Sequence, residues 1–231
     1  MPRKKIETGL KRALRRSPSL TLQELKNDSL QKGEVIRSRL KEFERRFHAG
    51  DAEIFKELCF CILAANSSAE MGMKTLAAIE DIVLEADLPT LRNRLNRGFR
   101  YWRVRPSYIV HTRDYLRREY GFKLRELLQS FPDHESRRAF LARNKDIKGI
   151  GWKEASHFLR NIGYRGYAIL DKHIRNCLCE LGVIRRSRKP LSPDRYRRIE
   201  RAMRAFSDRI GIDMDELDLL LWSRKTGKIL K

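Results

Sequence analysis

Apolar residues in this chain recur almost throughout at the three- and four-residue spacing of one face of an α-helix. Phe55, Leu58, Cys59, Ile62 and Leu63 fall at i, i+3, i+4, i+7 and i+8, the stripe by which an amphipathic helix meets a core. Leu76, Ile79, Val83 and Leu84 continue the habit, and Ala155, Leu159 and Ile162 repeat it, as do Ile174, Cys177, Leu178 and Leu181. No alternating run of β-branched residues survives beyond four positions, so a sheet is not expected. The breaks are short: Asn66–Ser68, Leu88–Thr90, Phe131–Pro132, Gly149–Gly151, Gly163–Gly166 and Ser187–Pro193. The pattern predicts an all-α protein of roughly nine to eleven helices, without a long Gly/Ser linker or an internal repeat.

Charge narrows what such a helical body binds. Lys and Arg number 51 against 30 Asp and Glu, a net +21 spread along the whole chain. A surplus of that size calls for a polyanion, and nucleic acid fits better than an anionic membrane, which leaves a concentrated basic amphipathic helix. No apolar run approaches the roughly 18 residues of a membrane span. Met1 to Arg16 carries seven Lys or Arg against Glu7. It reads as a solvated DNA-contacting tail, with an organelle presequence as the less favoured alternative and a secretory signal excluded. The cysteines form two Cys-x-Cys pairs, Cys59/Cys61 and Cys177/Cys179. At a period of two, helical partners face apart, so one buried thiol per pair is expected. Neither a metal site nor an iron–sulfur cluster is expected, and the chain reads as intracellular and reduced.

Two stretches mix in further basic residues. Arg97 to Arg125 holds nine Lys or Arg and seven aromatics. Within it Tyr108, Tyr115 and Phe122, seven apart, are expected as a core stripe. Tyr101 and Trp102, in a turn-like Arg-Tyr-Trp-Arg, remain candidates for base stacking. Arg185 to Arg204, with nine Lys or Arg, says little more than basic surface.

The most informative segment is Ile147-Lys148-Gly149-Ile150-Gly151, a hydrophobic-x-Gly-hydrophobic-Gly turn leading into a helix. Its glycines permit a tight turn with backbone amides pointing out at a helix N-terminus, an anion site suited to a DNA phosphate. An ordinary helix corner would look similar. Lys153 sits in the first turn of the following helix. The helix dipole, nearby arginines and cover from Trp152 are expected to favour its neutral, nucleophilic form. Asp171, eighteen residues on, begins another helix, where an N-cap is the simpler reading.

The pairing of this hairpin and Lys153 with Asp171 resembles the helix-hairpin-helix/Gly-Pro-Asp superfamily of DNA glycosylases. Cys59-Phe-Cys-Ile-Leu-Ala-Ala-Asn66, Lys148 to Asn161, Ile169-Leu-Asp-Lys-His-Ile174 and Leu221 to Lys231 resemble, in order, its archaeal-type 8-oxoguanine DNA glycosylase/AP lyase branch. There are departures. Lys148 stands where many members carry Pro, the loop before Asp171 lacks its Pro, and the terminal four-cysteine cluster of the endonuclease III branch is missing.

The resemblance implies two helical subdomains with the hairpin at a DNA-binding cleft. Residues 1–29 would be a basic extension. Residues 30–231 would form the glycosylase domain, one subdomain spanning roughly 50–170 and the other made of the flanking terminal helices. It implies Lys153 as nucleophile, Asp171 as its electrostatic and proton-accepting partner, and a lysine Schiff base leading to β-elimination, with no metal or cofactor. Lys148, Gly149, Ile150 and Gly151 would hold the DNA backbone, and Asn66 would contact the gap left by the flipped base. Trp222 and Tyr101 would sandwich that base, with Asp218 as a further polar contact and Lys231 and its carboxylate reaching the pocket. A monomer acting in the cytoplasm, at the nucleoid, on double-stranded DNA containing 8-oxoguanine is expected. The rivals are a lyase for other oxidised bases, a non-catalytic helix-hairpin-helix module, and an RNA-binding protein of ribosomal type, which would explain the charge but not the 41% hydrophobic content.

Overall fold

The computed structural model describes residues 20–96, 98–187 and 189–231, and these fold into eleven α-helices with no strand among the described residues. The first, α1 (Leu22–His48), opens on a capping box: the Thr21 hydroxyl accepts from the Glu24 amide, and the Glu24 carboxylate accepts from the Thr21 amide. Then come α2 (Asp51–Ala64), α3 (Ala69–Ala77), α4 (Leu88–Leu95), α5 (Arg105–Tyr120), α6 (Leu124–Gln129) and α7 (His134–Arg143). The hairpin leads into α8 (Trp152–Asn161), followed by α9 (Lys172–Glu180), α10 (Pro193–Ile210) and α11 (Met214–Thr226). Ser68, Asp87, Asp133, Asp171, Ser192 and Asp213 each accept hydrogen bonds from first-turn amides, satisfying donors that a helix leaves orphaned.

Buried apolar side chains gather in two clusters. One collects residues from Ile54 to Tyr167; the other joins Leu20 to Phe43 with Ala168 to Leu221. The first is built around α2, which packs against α1, α3, α5, α6 and α8. Every residue from Glu57 to Ala64 is buried, and a fully buried Leu or Phe contributes about 1.5–3 kcal/mol. This corrects the expectation for the cysteines. Cys177 is buried and Cys179 half-buried, but Cys59 and Cys61 are both buried, because a helix enclosed on all sides has no outward face for the second thiol.

Three other expectations shift. The boundary at residue 29 falls inside α1, where Leu25 is a core residue and Asp28 pairs with Arg224, and Leu20 just before the helix is buried too; residues 1–19, including most of the proposed extension, lie outside the described residues. The apolar stripe through Ile79 and Val83 does not extend α3. Residues 78–85 instead form consecutive turns, such as Ile82 N–H to the Ile79 carbonyl at 3.0 Å. Arg113 takes the Val83 and Ala86 carbonyls and Arg117 that of Leu84, so α5 satisfies oxygens that a longer helix would have used itself. Finally, Leu88–Thr90 is a helix start rather than a break, since Asp87 caps α4 and Pro89 occupies a first-turn position whose amide needs no partner.

Candidate active site

The two clusters meet at a cavity of about 260 Å³. From α8 it receives Lys153, His157 and Arg160, positions i, i+4 and i+7 of one helical face. From α11 come Asp218 and Trp222, one turn apart; Cys61 and Ala64 come from α2, Asp171 from the start of α9, and Leu230 and Lys231 from the tail. Lys153 and Asp171, eighteen residues apart in the chain, therefore share one cavity.

The hairpin explains how Lys153 gets there. Gly149 has φ +77°, and a Cβ on it would lie 2.8 Å from Tyr108 Cδ2 and 2.9 Å from Arg105 Nη1, so the position takes only glycine without strain. The Lys148 amide donates to Thr112 Oγ1 at 2.9 Å, Ile150 is buried, and Gly151 caps α8 without a side-chain hydrogen bond. The first-turn amides of α8 thus keep the electropositive end that binds anions. Tyr108, Tyr115 and Phe122 pack, partly buried, against the first cluster.

Lys153 Nζ lies 2.9 Å from Glu154 Oε1. Trp152 does not cover it: the indole packs on the second cluster with the guanidiniums of Arg138, Arg143 and Arg197 at 5.2, 5.6 and 5.5 Å. The charge nearest the amine is thus an acid, where the sequence suggested arginines. Asp171 is an N-cap, accepting from the Ile174 amide at 2.8 Å, and at the same time a cavity wall residue.

Asp218 is only 3% exposed and already engaged. It accepts from the Ile169 amide at 3.1 Å and faces Arg160 Nη1 at 3.5 Å. Burial pushes its carboxyl up to about 7, with Arg160 opposing and Asp171 adding to the rise. Burial likewise holds the His157 ring well below its usual range, with Arg160 and Lys153 adding to the effect, so the imidazole is neutral. Its Nε2 is sealed from solvent without a hydrogen-bond partner. Burial, reinforced by Glu57, keeps the Cys61 thiol protonated.

Tyr101 does not line the cavity; its hydroxyl donates to the Asn66 carbonyl at 3.4 Å and its ring packs on Phe99. Asn66 itself is exposed, in the left-handed region at φ +56°, between the cavity residues Ala65 and Ser67. His157, Arg160, Cys61 and Glu57 were not anticipated. Helical spacing from Lys153 marks the first two; nothing local in the sequence marks the partners of Glu57. Among the described residues, His134, Glu135 and Glu200 could offer metal ligands within 4.8 Å, but Arg138 already bonds both carboxylates at 2.5–2.7 Å.

The profile of a family described as 8-oxoguanine DNA glycosylase matches residues 36–212. The chain is 42% identical over 199 residues to an 8-oxoguanine DNA glycosylase/AP lyase of Korarchaeum cryptofilum, covering 86% of this chain and 91% of the relative. Against the Methanocaldococcus jannaschii counterpart it is 40% identical over 211 residues, covering 91% and 97%. The crystal structure of the M. jannaschii glycosylase/lyase with a 15-mer DNA containing 8-oxoguanine superposes with a TM-score of 0.80 at 39% identity, covering 90% of this chain and 99% of that one. The 8-oxoguanine DNA glycosylase of Thermotoga maritima gives 0.81 at 37%, covering 91% and 98%.

Proposed function

This chain belongs to the 8-oxoguanine DNA glycosylase family, and from that premise we propose that its cavity receives the flipped lesion, with Lys153 as nucleophile and Asp171 as its partner. The protein excises 8-oxoguanine from DNA and cleaves the strand at the resulting abasic site. The observation that carries the assignment of residues is the convergence of Lys153 and Asp171 on one cavity that Trp222 also lines.

Flipping the damaged nucleotide costs a few kcal/mol of unstacking, offset by phosphate contacts at the hairpin residues Lys148 to Gly151 and the surrounding basic surface. The Lys153 amine leaves Glu154, loses a proton and attacks the sugar C1′, and the bond from C1′ to the base nitrogen breaks with its electron pair leaving on the base. Asp171 stabilises the positive charge developing on the sugar and accepts the amine proton. Ring opening leaves Nζ joined to C1′ as a Schiff base. Removal of a C2′ proton then expels the 3′ phosphate. Selectivity follows from N7, which carries a hydrogen in the lesion and a lone pair in guanine, so an acceptor in the cavity binds one and repels the other. We further propose action as a monomer on double-stranded DNA inside the cell.

The test is a labelled duplex carrying one 8-oxoguanine, given to wild type and Lys153→Gln with and without borohydride. Wild type should form a covalent adduct with borohydride and cut the strand without it, while Lys153→Gln binds the duplex and does neither. Base excision by the variant would remove Lys153 from the mechanism.

A further inference from the structure

Glu57 is 1% exposed, a carboxylate in the middle of the best-enclosed helix. Such a charge is tolerated only when paired and hydrogen-bonded, so its partners define what it does. Arg46 Nη1 reaches Oε2 at 2.6 Å, and Asn161 Nδ2 donates to Oε1 at 2.7 Å. These two already serve both oxygens. A third partner, Lys231 Nζ at 2.8 Å, arrives from 174 residues along the chain. The Phe60 ring, nearly one turn after Glu57 on the same face of α2, lies 4.8 Å from the same ammonium, within cation–π range. Carboxylate and ring together form a socket for this one side chain.

The consequence falls on the tail. With the Lys231 side chain turned into the socket, Leu230 and Lys231 complete part of the cavity wall. The remaining fastenings are slight: Ile229 packs on the second cluster, the exposed Thr226 hydroxyl bonds the Lys228 main chain, and Lys228 pairs with Glu70 at an exposed position, where ion pairs count for little.

We propose that Glu57 is a positioning residue for base selection, seating the Lys231 ammonium so that the tail backbone becomes a fixed wall against which the flipped base is read. The Lys231 side chain is then an anchor and not itself a contact to the base. This deepens the reading above and rests on the cavity being the base pocket.

The experiment compares full-length wild type, Glu57→Gln, Lys231→Met and the double variant on two duplexes, one with 8-oxoguanine and one with a preformed abasic site. Glu57→Gln should slow single-turnover excision about thirtyfold or more, the lower end of the effect of breaking a buried hydrogen-bonded charge pair. Borohydride trapping on the abasic duplex should stay at the wild-type level, since no base is left to select. Lys231→Met should show a comparable loss of excision, and the double variant no more than the larger single loss, as two residues acting through one contact do. Unchanged excision in either single variant, multiplied losses in the double, or equal loss on both duplexes would overturn the proposal. If Glu57→Gln does not fold, Lys231→Met still tests it, because Arg46 and Asn161 remain on Glu57; Lys231→Arg should then recover part of the lost rate. Failure of the base-pocket reading shows separately, as undiminished lesion excision by Trp222→Ala.

Discussion

The side of the cavity that carries Lys153 and Asp171 is assembled from near neighbours in the chain, whereas the side that carries Trp222 and Lys231 is fastened from far away. On the first side, Gly149 allows the turn, α8 begins at once, and Asp171 caps the next helix but one loop later. On the second side, Lys231 is held by Glu57 and Asp218 on α11 is held by Arg160 on α8, across 174 and 58 residues. The local side holds Lys153 and Asp171, and groups proposed to react need to be held firmly whatever lies in the pocket. The distant side shapes the space a base would fill, and it depends on the two clusters being docked.

This contrast predicts different behaviour when each side is damaged. The largest effect after the loss of Lys153 belongs to Asp171. Asp171→Asn should slow excision about a hundredfold or more, in the range for removing one electrostatic stabiliser. Its melting temperature should stay near wild type because Asn caps a helix about as well as Asp. Asp171→Ala should lose the same rate and also about 0.5–2 kcal/mol of stability, measured by thermal unfolding. If Asn restores activity as well as stability, Asp171 is a cap and nothing more.

Trp222→Ala should cost about ten- to a hundredfold in lesion excision, the equivalent of about 1–3 kcal/mol for one stacked base. Cleavage at a preformed abasic site should be spared, which a gel assay on the two duplexes reads directly. Equal loss on both substrates would erase the distinction between the two sides.

The smallest effect is on pH dependence. The Asp218 carboxyl is raised from 3.8 to about 7 by burial, so over that interval the unfolded chain has given up a proton that the folded chain keeps. Stability therefore falls as pH rises from about 4 to 7. Asp218→Asn removes this contribution. The variant should gain on wild type in melting temperature as pH rises from about 4.5 to 7.5. A constant difference across that interval would show Asp218 ionised throughout.

The same contrast governs what could be read ahead of the structure. The hairpin, α8, α9 and the stripe Phe55 to Leu63 were legible because a glycine turn, an N-cap and a 3.6-residue period are all set within a few residues. His157 and Arg160 were within reach of the same argument, one and two turns after Lys153. Glu57 was not, because a carboxylate beside apolar neighbours gives no sign of which distant cation will meet it. The turns of residues 78–85 escaped for a related reason, as their carbonyls are taken by Arg113 and Arg117 from α5.

By itself, then, the sequence determined an all-helical, strongly basic chain with a glycine turn leading into a helix and a lysine and an aspartate near helix starts eighteen residues apart. These follow from local backbone preference and from net charge, which do not require knowing what packs against what. The tertiary structure alone decided that both Cys59 and Cys61 are buried, that Lys153 faces Glu154, that Tyr101 stands by Asn66 outside the cavity, and that the tail is seated on Glu57. Each depends on which helices enclose α2 and α8, and burial and long-range ion pairing exist only once the two clusters have come together.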